Sequence, residues 1–158
     1  MSRAIIFDPL FYLENNGDVA SAVRSGGFAG ALQHFTLFGG FELRAPNSIF
    51  DPDYYSLENP LVVNAVSQNH FTSVFNHYQL FGELENRAPS IEFTGFDPET
   101  YLAANLDVAE AVRLGNFSSA LDHYIHFGSQ EGRVGTGITS PSFELTAQTD
   151  QLNGTTGD

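Results

Sequence analysis

The chain has 158 residues, of which 19 are acidic and six are arginine, and its formal net charge is −13. This charge argues against binding to nucleic acid or to an anionic bilayer, because both need a basic protein surface. Cysteine is absent, which excludes disulfides and thiolate metal sites. The first residues do not resemble a signal peptide, and no apolar run is long enough to predict a transmembrane helix.

A motif of 38 residues occurs three times along the chain, and 14 of its positions are identical in all three copies. The shared frame is F-D-P-x-x-Y-x-x-x-N-x-x-V-x-x-A-V, then F-x-x-x-x-x-H-x-x-x-F-G, then E-x-R. Such a period is typical of repeat arrays, in which each unit buries its apolar face against its neighbours. We therefore predict an all-α fold of three tandem helical repeats stacked into one compact array. The copies are Phe7–Arg44, Phe50–Arg87 and Phe96–Arg133, within predicted segments 1–44, 45–87, 88–133 and 134–158.

Each copy begins with an Asp-Pro pair, which is typical of a helix start because aspartate caps the free amides and proline suits the first helical position. In the first copy the cap is Asp8, and the helix should end near Asn16. We expect Asn16 to cap a second helix, in which Val19, Ala22 and Val23 form one apolar stripe.

A third helix should follow the glycine pair at residues 26 and 27. Its spacing predicts that Ala31, Leu32, Phe35 and Phe38 face inward. Gly39 is the expected left-handed C-cap of this helix. After residue 133 the chain becomes rich in Gly, Thr and Ser, and alternating apolar residues in 134–158 predict an extended, β-type or disordered tail.

One histidine holds the same place in every copy, and these are His34, His77 and His123. One interpretation is a ligand site built three times. The other is a structural histidine, hydrogen-bonded and packed one turn before a phenylalanine. The structural interpretation is favoured, because residues shared by all copies are those that rebuild the same fold.

One arginine also closes each copy: Arg44, Arg87 and Arg133. The planar guanidinium suits a carboxylate, so we expect a pair with the capping aspartate of its own or the next unit. The alternative is a sugar or phosphate-bearing ligand in a groove between units. Tyr54 varies between copies, and its ring is a candidate for stacking on a sugar.

Other candidates for chemistry are weak. No nucleophile elbow, zinc-protease motif, phosphate-binding glycine loop or EF-hand loop occurs in the sequence. Glu83 and Glu85, with Asn86, form an acidic loop that could bind a cation weakly, although a solvated turn is the favoured interpretation. The sequence thus predicts a protein that is not an enzyme.

The repeat F-D-P-x-x-Y-L-x-x-N-x-D-V-A-x-A-V…A-L-x-H-[FY]-x-x-F-G-x-x-E-G-R resembles a short helical repeat of large exported bacterial proteins. The third copy matches it nearly completely, whereas the second has Leu61 in place of the usual Asp and Asn86 in place of the usual Gly. The last segment, F-E-L-T-A-Q-T-D-Q-L-N-G-T-T-G-D, resembles the lead-in to RTX-type calcium-binding β-repeats. A similar lead-in occurs in S-layer proteins that Gram-negative bacteria export by the type I route.

This resemblance implies the N-terminal helical region of an RTX-type, S-layer-like protein at the bacterial cell surface. In such S-layer proteins the helical domain anchors the lattice to lipopolysaccharide, and calcium drives assembly of the β-repeats. The resemblance therefore implies an extracellular anchoring module that binds O-polysaccharide and self-associates in a lattice, with Ca²⁺ expected for the parent protein and no membrane insertion. The alternatives are a self-assembly module without a glycan ligand and an accessory domain of an exported hydrolase.

Overall fold

The structure is a computed structural model that describes residues 6–135. Over these residues all regular secondary structure is helical, which confirms the predicted all-α class. The predicted β-type or disordered tail lies outside the described residues, apart from its first two positions. The α-helices are α1 (Pro9–Asn15), α2 (Gly17–Arg24), α3 (Ala31–His34), α4 (Pro52–Glu58), α5 (Pro60–Ser67), α6 (Val74–His77), α7 (Pro98–Ala104), α8 (Leu106–Arg113) and α9 (Ala120–His123).

The first helix of each unit begins at the predicted Asp-Pro pair. The Asp8 carboxylate accepts hydrogen bonds from the amides of Leu10 and Phe11 at 2.9 and 3.0 Å. Asp51 and Asp97 cap α4 and α7 in the same way. The carboxylates therefore satisfy amides that have no partner within the helix.

The second helix follows after one residue, Asn16, as predicted, but the asparagine acts differently from the expected cap. Its side chain makes no capping hydrogen bond. Instead its Nδ2 donates to the carbonyl oxygen of Tyr12 at 2.7 Å, and so closes the end of α1. The predicted apolar stripe of α2 is partly confirmed, since Val19 is buried and Ala22 and Val23 are partly buried.

The third helix of each unit continues into a π-helical turn, which the sequence did not predict. In the first unit this turn covers Phe35–Gly39, and the amide of Gly40 donates to the Phe35 carbonyl at 2.9 Å. The expected left-handed cap at Gly39 is wrong, because this glycine lies inside the turn. The equivalent π turns are Tyr78–Gly82 and Tyr124–Gly128.

The core is formed mainly by aromatic and β-branched side chains from all three helices of a unit. In the first unit Tyr12, Val19, Ala31 and Phe35 are buried. The prediction that Leu32 faces inward is wrong, since its side chain is 57% exposed. Phe38 was also predicted inward, and it is 48% exposed. The π turn changes which residues face the core after α3, which explains Phe38 and its equally exposed equivalents Phe81 and Phe127. Leu32 lies before the turn, and its equivalents Phe75 and Leu121 are buried, so its exposure does not come from the change of register.

Successive units contact each other through the π turn of one and the third helix of the next. The ring of Phe35 meets the ring of Phe75 edge-on, with centroids 5.9 Å apart. The backbone at Gly40 approaches Ser73 so closely that a Cβ on the glycine would lie 2.8 Å from the serine Cβ. Between the second and third units, Glu83 accepts hydrogen bonds from two serines. These contacts join the second unit to the first and to the third.

Candidate functional site

The shared histidine of each unit is buried and bonded to the shared tyrosine. The Nδ1 atom of His34 lies 3.0 Å from the Tyr12 hydroxyl, and the two equivalent pairs are 2.9 Å apart. The tyrosine is fully buried in each unit, and the histidine nearly so. The predicted candidates His34, His77 and His123 therefore lie in the interior of three separate units and do not share a site.

Aromatic rings enclose the far side of each histidine. In the second unit the Phe71 ring meets His77 edge-on with centroids 4.9 Å apart, and Phe81 packs on the same histidine at 5.9 Å. Burial lowers the pKa of His77 below its usual 6.5. Burial also raises the pKa of the Tyr12 phenol to about 12. Each shift favours the neutral form of its group, because burial in a protein interior disfavours the charged form.

A shared glycine provides the space for each tyrosine hydroxyl. A Cβ on Gly39 would overlap the hydroxyl oxygen of Tyr12, and it would lie 3.1 Å from the tyrosine Cζ and 3.3 Å from Phe35 Cδ2. Gly82 and Gly128 meet the tyrosines of their own units in the same way. The physical reason for this glycine is therefore close packing against the Tyr–His pair, rather than the left-handed backbone predicted from the sequence.

The shared arginine of each unit holds together the connection between the first two helices. The Nη1 atom of Arg44 donates to Asn16 Oδ1 at 2.7 Å, and its Nε donates to Glu42 at 2.6 Å. The two guanidinium nitrogens Nη1 and Nη2 also bind the Asp18 carboxylate at 3.0 and 2.8 Å. The predicted pair with the capping aspartate is wrong, because that carboxylate already accepts helix amides.

The third unit repeats this arrangement, with Arg133 on Asn105, Asp107 and Glu131. Its hydrogen bonds to Asp107 hold the pKa of that exposed carboxyl at about 2, as those of the first unit do for the equivalent aspartate. In the second unit Leu61 replaces the aspartate, and the bonds of Arg87 go to Glu85 and Asn59. The three arginines are thus engaged within their own units.

Tyr54, the remaining predicted ligand residue, contacts the linker that follows its unit. Its ring is partly buried, and its hydroxyl lies 3.0 Å from Thr94 Oγ1. Nearby, a cleft of about 400 Å³ runs between the first linker and the start of the second. The lining of this cleft includes Phe11, Ser48, Asp53 and Glu92. These residues were not predicted as a site, because they are far apart in the sequence and differ between copies.

The interpretation of Glu83 as part of a solvated turn is wrong. Its side chain is buried between the second and third units, where Oε1 accepts hydrogen bonds from the hydroxyls of Ser118 and Ser119 at 2.7 and 2.5 Å. Asp122 is buried beside it and pairs with His126 at 3.0 Å. Among the described residues, the hydroxyl of Tyr78 is buried without a hydrogen-bond partner. This polar cluster joins the two units.

The candidate residues thus form two networks that recur in each unit, one of Tyr, His and Gly and one of Asn, Arg and Glu. Within residues 6–135, no group of three or more His, Cys, Asp or Glu side chains could hold a metal ion. In the same part of the chain, no helix has the length and apolar character needed to cross a membrane. No family model, curated protein or solved structure matches this chain.

Proposed function

We propose that the chain is a non-catalytic structural module of an exported bacterial surface protein, in which three helical units stack into one rigid array. The observation that carries this proposal is that the polar side chains shared by all units are engaged inside their own unit. In the first unit Tyr12 bonds His34, and Arg44 bonds Asn16. A side chain that completes the interior hydrogen bonds of a unit is not free to recognise a ligand.

The contacts between units also support a rigid array. Both junctions use equivalent positions, the π turn of one unit and the third helix of the next, and both bury side chains there. In repeat proteins such nearest-neighbour contacts make the array behave as one body. The assignment to an exported surface protein rests on the sequence resemblance described above.

Distance measurements between spin labels test the rigid array directly, because the chain has no native cysteine. Labels on Leu10→Cys and Leu106→Cys report the distance between the first and third units, and both positions are exposed. A reference pair, Leu106→Cys with Leu114→Cys, lies at the two ends of α8. We expect the distance distribution between units to be as narrow as that of the reference. A broad distribution or several separate distances would show that the units move independently.

Polysaccharide binding is a second candidate function, and the cleft beside the linkers favours it. The cleft combines the partly buried ring of Phe11 with the hydroxyl and carboxylate groups of Ser48, Asp53 and Glu92. Carboxylates and hydroxyls bind sugar hydroxyl groups, and an aromatic ring offers a face for a sugar ring. Because the cleft is acidic, it would take a neutral polysaccharide rather than a phosphate-bearing one.

Calorimetric titration with a neutral bacterial surface polysaccharide, with and without calcium, separates the two candidates. If the cleft binds sugar, Asp53→Ala should weaken saturable binding at least about tenfold, since it removes a charged hydrogen-bond acceptor. Glu14→Ala is the matched control, because this exposed carboxylate is not among the residues of the cleft. An absence of saturable binding would eliminate the second candidate and leave the structural proposal standing.

A further inference from the structure

Each contact between units joins the end of the π turn in one unit to the start of the third helix in the next. The first unit leaves its own third-helix surface exposed, which we call the leading end, and the third unit leaves the end of its π turn exposed, which we call the trailing end. At the leading position of the third helix, Phe75 is 3% exposed and Leu121 is 7% exposed, whereas the equivalent Leu32 of the first unit is 57% exposed. At the trailing position after the π turn, Gly40 and Glu83 are buried. Their equivalent in the third unit, Ser129, is exposed.

From this continuity with the internal junctions we infer that the leading end of one copy binds the trailing end of a second copy, so that chains associate head to tail. The inference rests on the proposed structural role and names its partner. The array of units would then continue across the boundary between molecules with the geometry that it has inside each one. Such a contact uses a different surface on each partner. It therefore produces open linear chains of molecules, or rings where the rotation between successive molecules brings the last one back to the first.

The small residues at the two ends fit this junction. Inside the chain, the glycine at position 40 lies against the serine at position 73. Between molecules, Ser129 would lie against Gly30, which is the same pair with the two residues exchanged. A Cβ on Gly30 would have open space around it, and its φ of 171° is ordinary extended backbone. The close approach found at the first internal junction is therefore possible between copies as well.

The larger residues and the charges agree. The position of Phe35, whose ring meets Phe75 at the first junction, is occupied in the third unit by Tyr124, which would meet Leu32 of the next copy. The leading end is uncharged although the chain has a net charge of −13, so no carboxylate must be desolvated there. Its surface is formed by Ala29, Gly30, Leu32, Gln33, Thr36 and Leu37. Leu32 and Thr36 also border a cavity of about 240 Å³ beside the first internal junction, so this surface is continuous with that contact.

The net charge of each copy opposes association, and salt should therefore promote it. At 0.15 M salt the electrostatic screening length is about 8 Å, so added salt weakens the repulsion between copies while leaving the apolar contact intact. Sedimentation equilibrium of the full chain should show a mean mass that rises with protein concentration and with salt. A single monomer mass up to about 1 mM protein, in the range of very weak affinity, contradicts the inference.

Two exposed leucines provide a matched pair of variants. Leu32→Glu places a charge in the proposed contact and should raise the dissociation constant at least about tenfold, which corresponds to 1.4 kcal/mol. Leu57→Glu is the control, because Leu57 is 81% exposed on α4 and the equivalent residue of the first unit is Glu14. Equal association of both variants would overturn the inference, provided that circular dichroism shows both to be folded.

Disulfide capture tests the orientation. Gly30→Cys and Ser129→Cys chains are prepared separately, mixed and oxidised, and mass spectrometry identifies the crosslinks. We expect mixed 30–129 dimers in excess over the dimers formed by either variant alone. Equal amounts of all dimers would show random collision. A third outcome is a monomer at all concentrations whose Tm falls more with Leu32→Glu than with Leu57→Glu. It would mean that residues 1–5 or 136–158 of the same chain cover the leading end, and it would also overturn the inference. The rigid array within one molecule would survive either failure.

Discussion

Replacing Gly39 by alanine should destabilise the protein far more than an ordinary glycine substitution. The new methyl group would overlap the Tyr12 hydroxyl oxygen and lie 3.1 Å from the tyrosine Cζ. The ring must therefore move, which costs about 1–3 kcal/mol for overpacking. If the hydrogen bond between Tyr12 and His34 breaks, two buried polar groups lose their partners, at a further cost of about 1–3 kcal/mol.

Urea and thermal unfolding measure this cost. Together the two effects predict a loss of about 2–6 kcal/mol in the free energy of unfolding. At this chain length the loss should lower the Tm by at least about 5 °C. Gly17→Ala is the control, because a Cβ there has no atom within 4 Å and lies in the first turn of α2. This substitution should be neutral or stabilise the protein by up to about 1 kcal/mol.

A double-mutant cycle isolates the clash with the hydroxyl. Tyr12→Phe removes the oxygen that the new methyl group would overlap, so Gly39→Ala should cost less in that background by at least about 1 kcal/mol. The reasoning is refuted if the two substitutions are additive. It is also refuted if Gly39→Ala unfolds no more easily than Gly17→Ala.

Three other predictions follow from the same contacts. Leu61→Asp should supply the carboxylate that Arg87 lacks in the second unit and raise the free energy of unfolding by up to about 1 kcal/mol. Leu57→Asp, at another exposed leucine, should not, and equal effects on urea unfolding would contradict the proposed pair between Arg87 and the new carboxylate. Burial lowers the pKa of His77 below 6.5 in the folded protein. The stability that neutral His77 contributes is therefore complete above pH 6.5 and is lost as the pH falls towards the lower pKa of the folded state. NMR titration should find a midpoint below 6.5 for this histidine, and a higher midpoint would reject the burial argument. Glu83→Ala should lower the free energy of unfolding by about 1–3 kcal/mol, because two serine hydroxyls lose their acceptor. Glu83→Gln keeps an acceptor and should lower it less. A larger loss in the glutamine variant would contradict the assigned hydrogen bonds.

Local signals predicted the helix starts correctly. The Asp-Pro pair places cap and first helical residue next to each other in the sequence, so Asp8 and its equivalents could be assigned without any tertiary information. The end of the first helix near Asn16 was also correct, because the boundary repeats in every copy. These features depend on neighbours within four residues, and a sequence shows such neighbours directly.

The π turn and its consequences could not be predicted in this way. Phe35–Gly39 continues the helical pattern of α3, and one additional residue in a turn leaves no clear periodic signal. The change of register moves Phe38 out of the core, whereas the exposure of Leu32 depends on contacts between units, since its equivalents Phe75 and Leu121 are buried. The change of register also places Gly39 beside a tyrosine from a different helix, a contact that only the folded chain reveals.

A comparison of the three copies could have found the ion pairs between the shared arginines and Asp18 or Asp107. An aspartate follows the shared asparagine by two residues in the first and third copies, 26 residues before the shared arginine, and Leu61 replaces it in the second. The capping aspartates keep an equally constant separation from the arginines, but their Asp-Pro context already assigns them to helix caps, which leaves Asp18 and Asp107 as the partners. The sequence alone could not show the burial of Glu83, because its serine partners belong to another unit.

Residue-resolved hydrogen exchange tests the central claim, that three units form one structural body, most directly. In a single body the slowest amides open only with the whole protein. We therefore predict that the slowest-exchanging amides around Tyr12, Tyr55 and Tyr101, which lie at the centres of the three units, share one free energy of opening. They should also respond equally to a substitution at one junction, such as Glu83→Ala. Three separate opening free energies, each changed only by substitutions in its own unit, would contradict the claim.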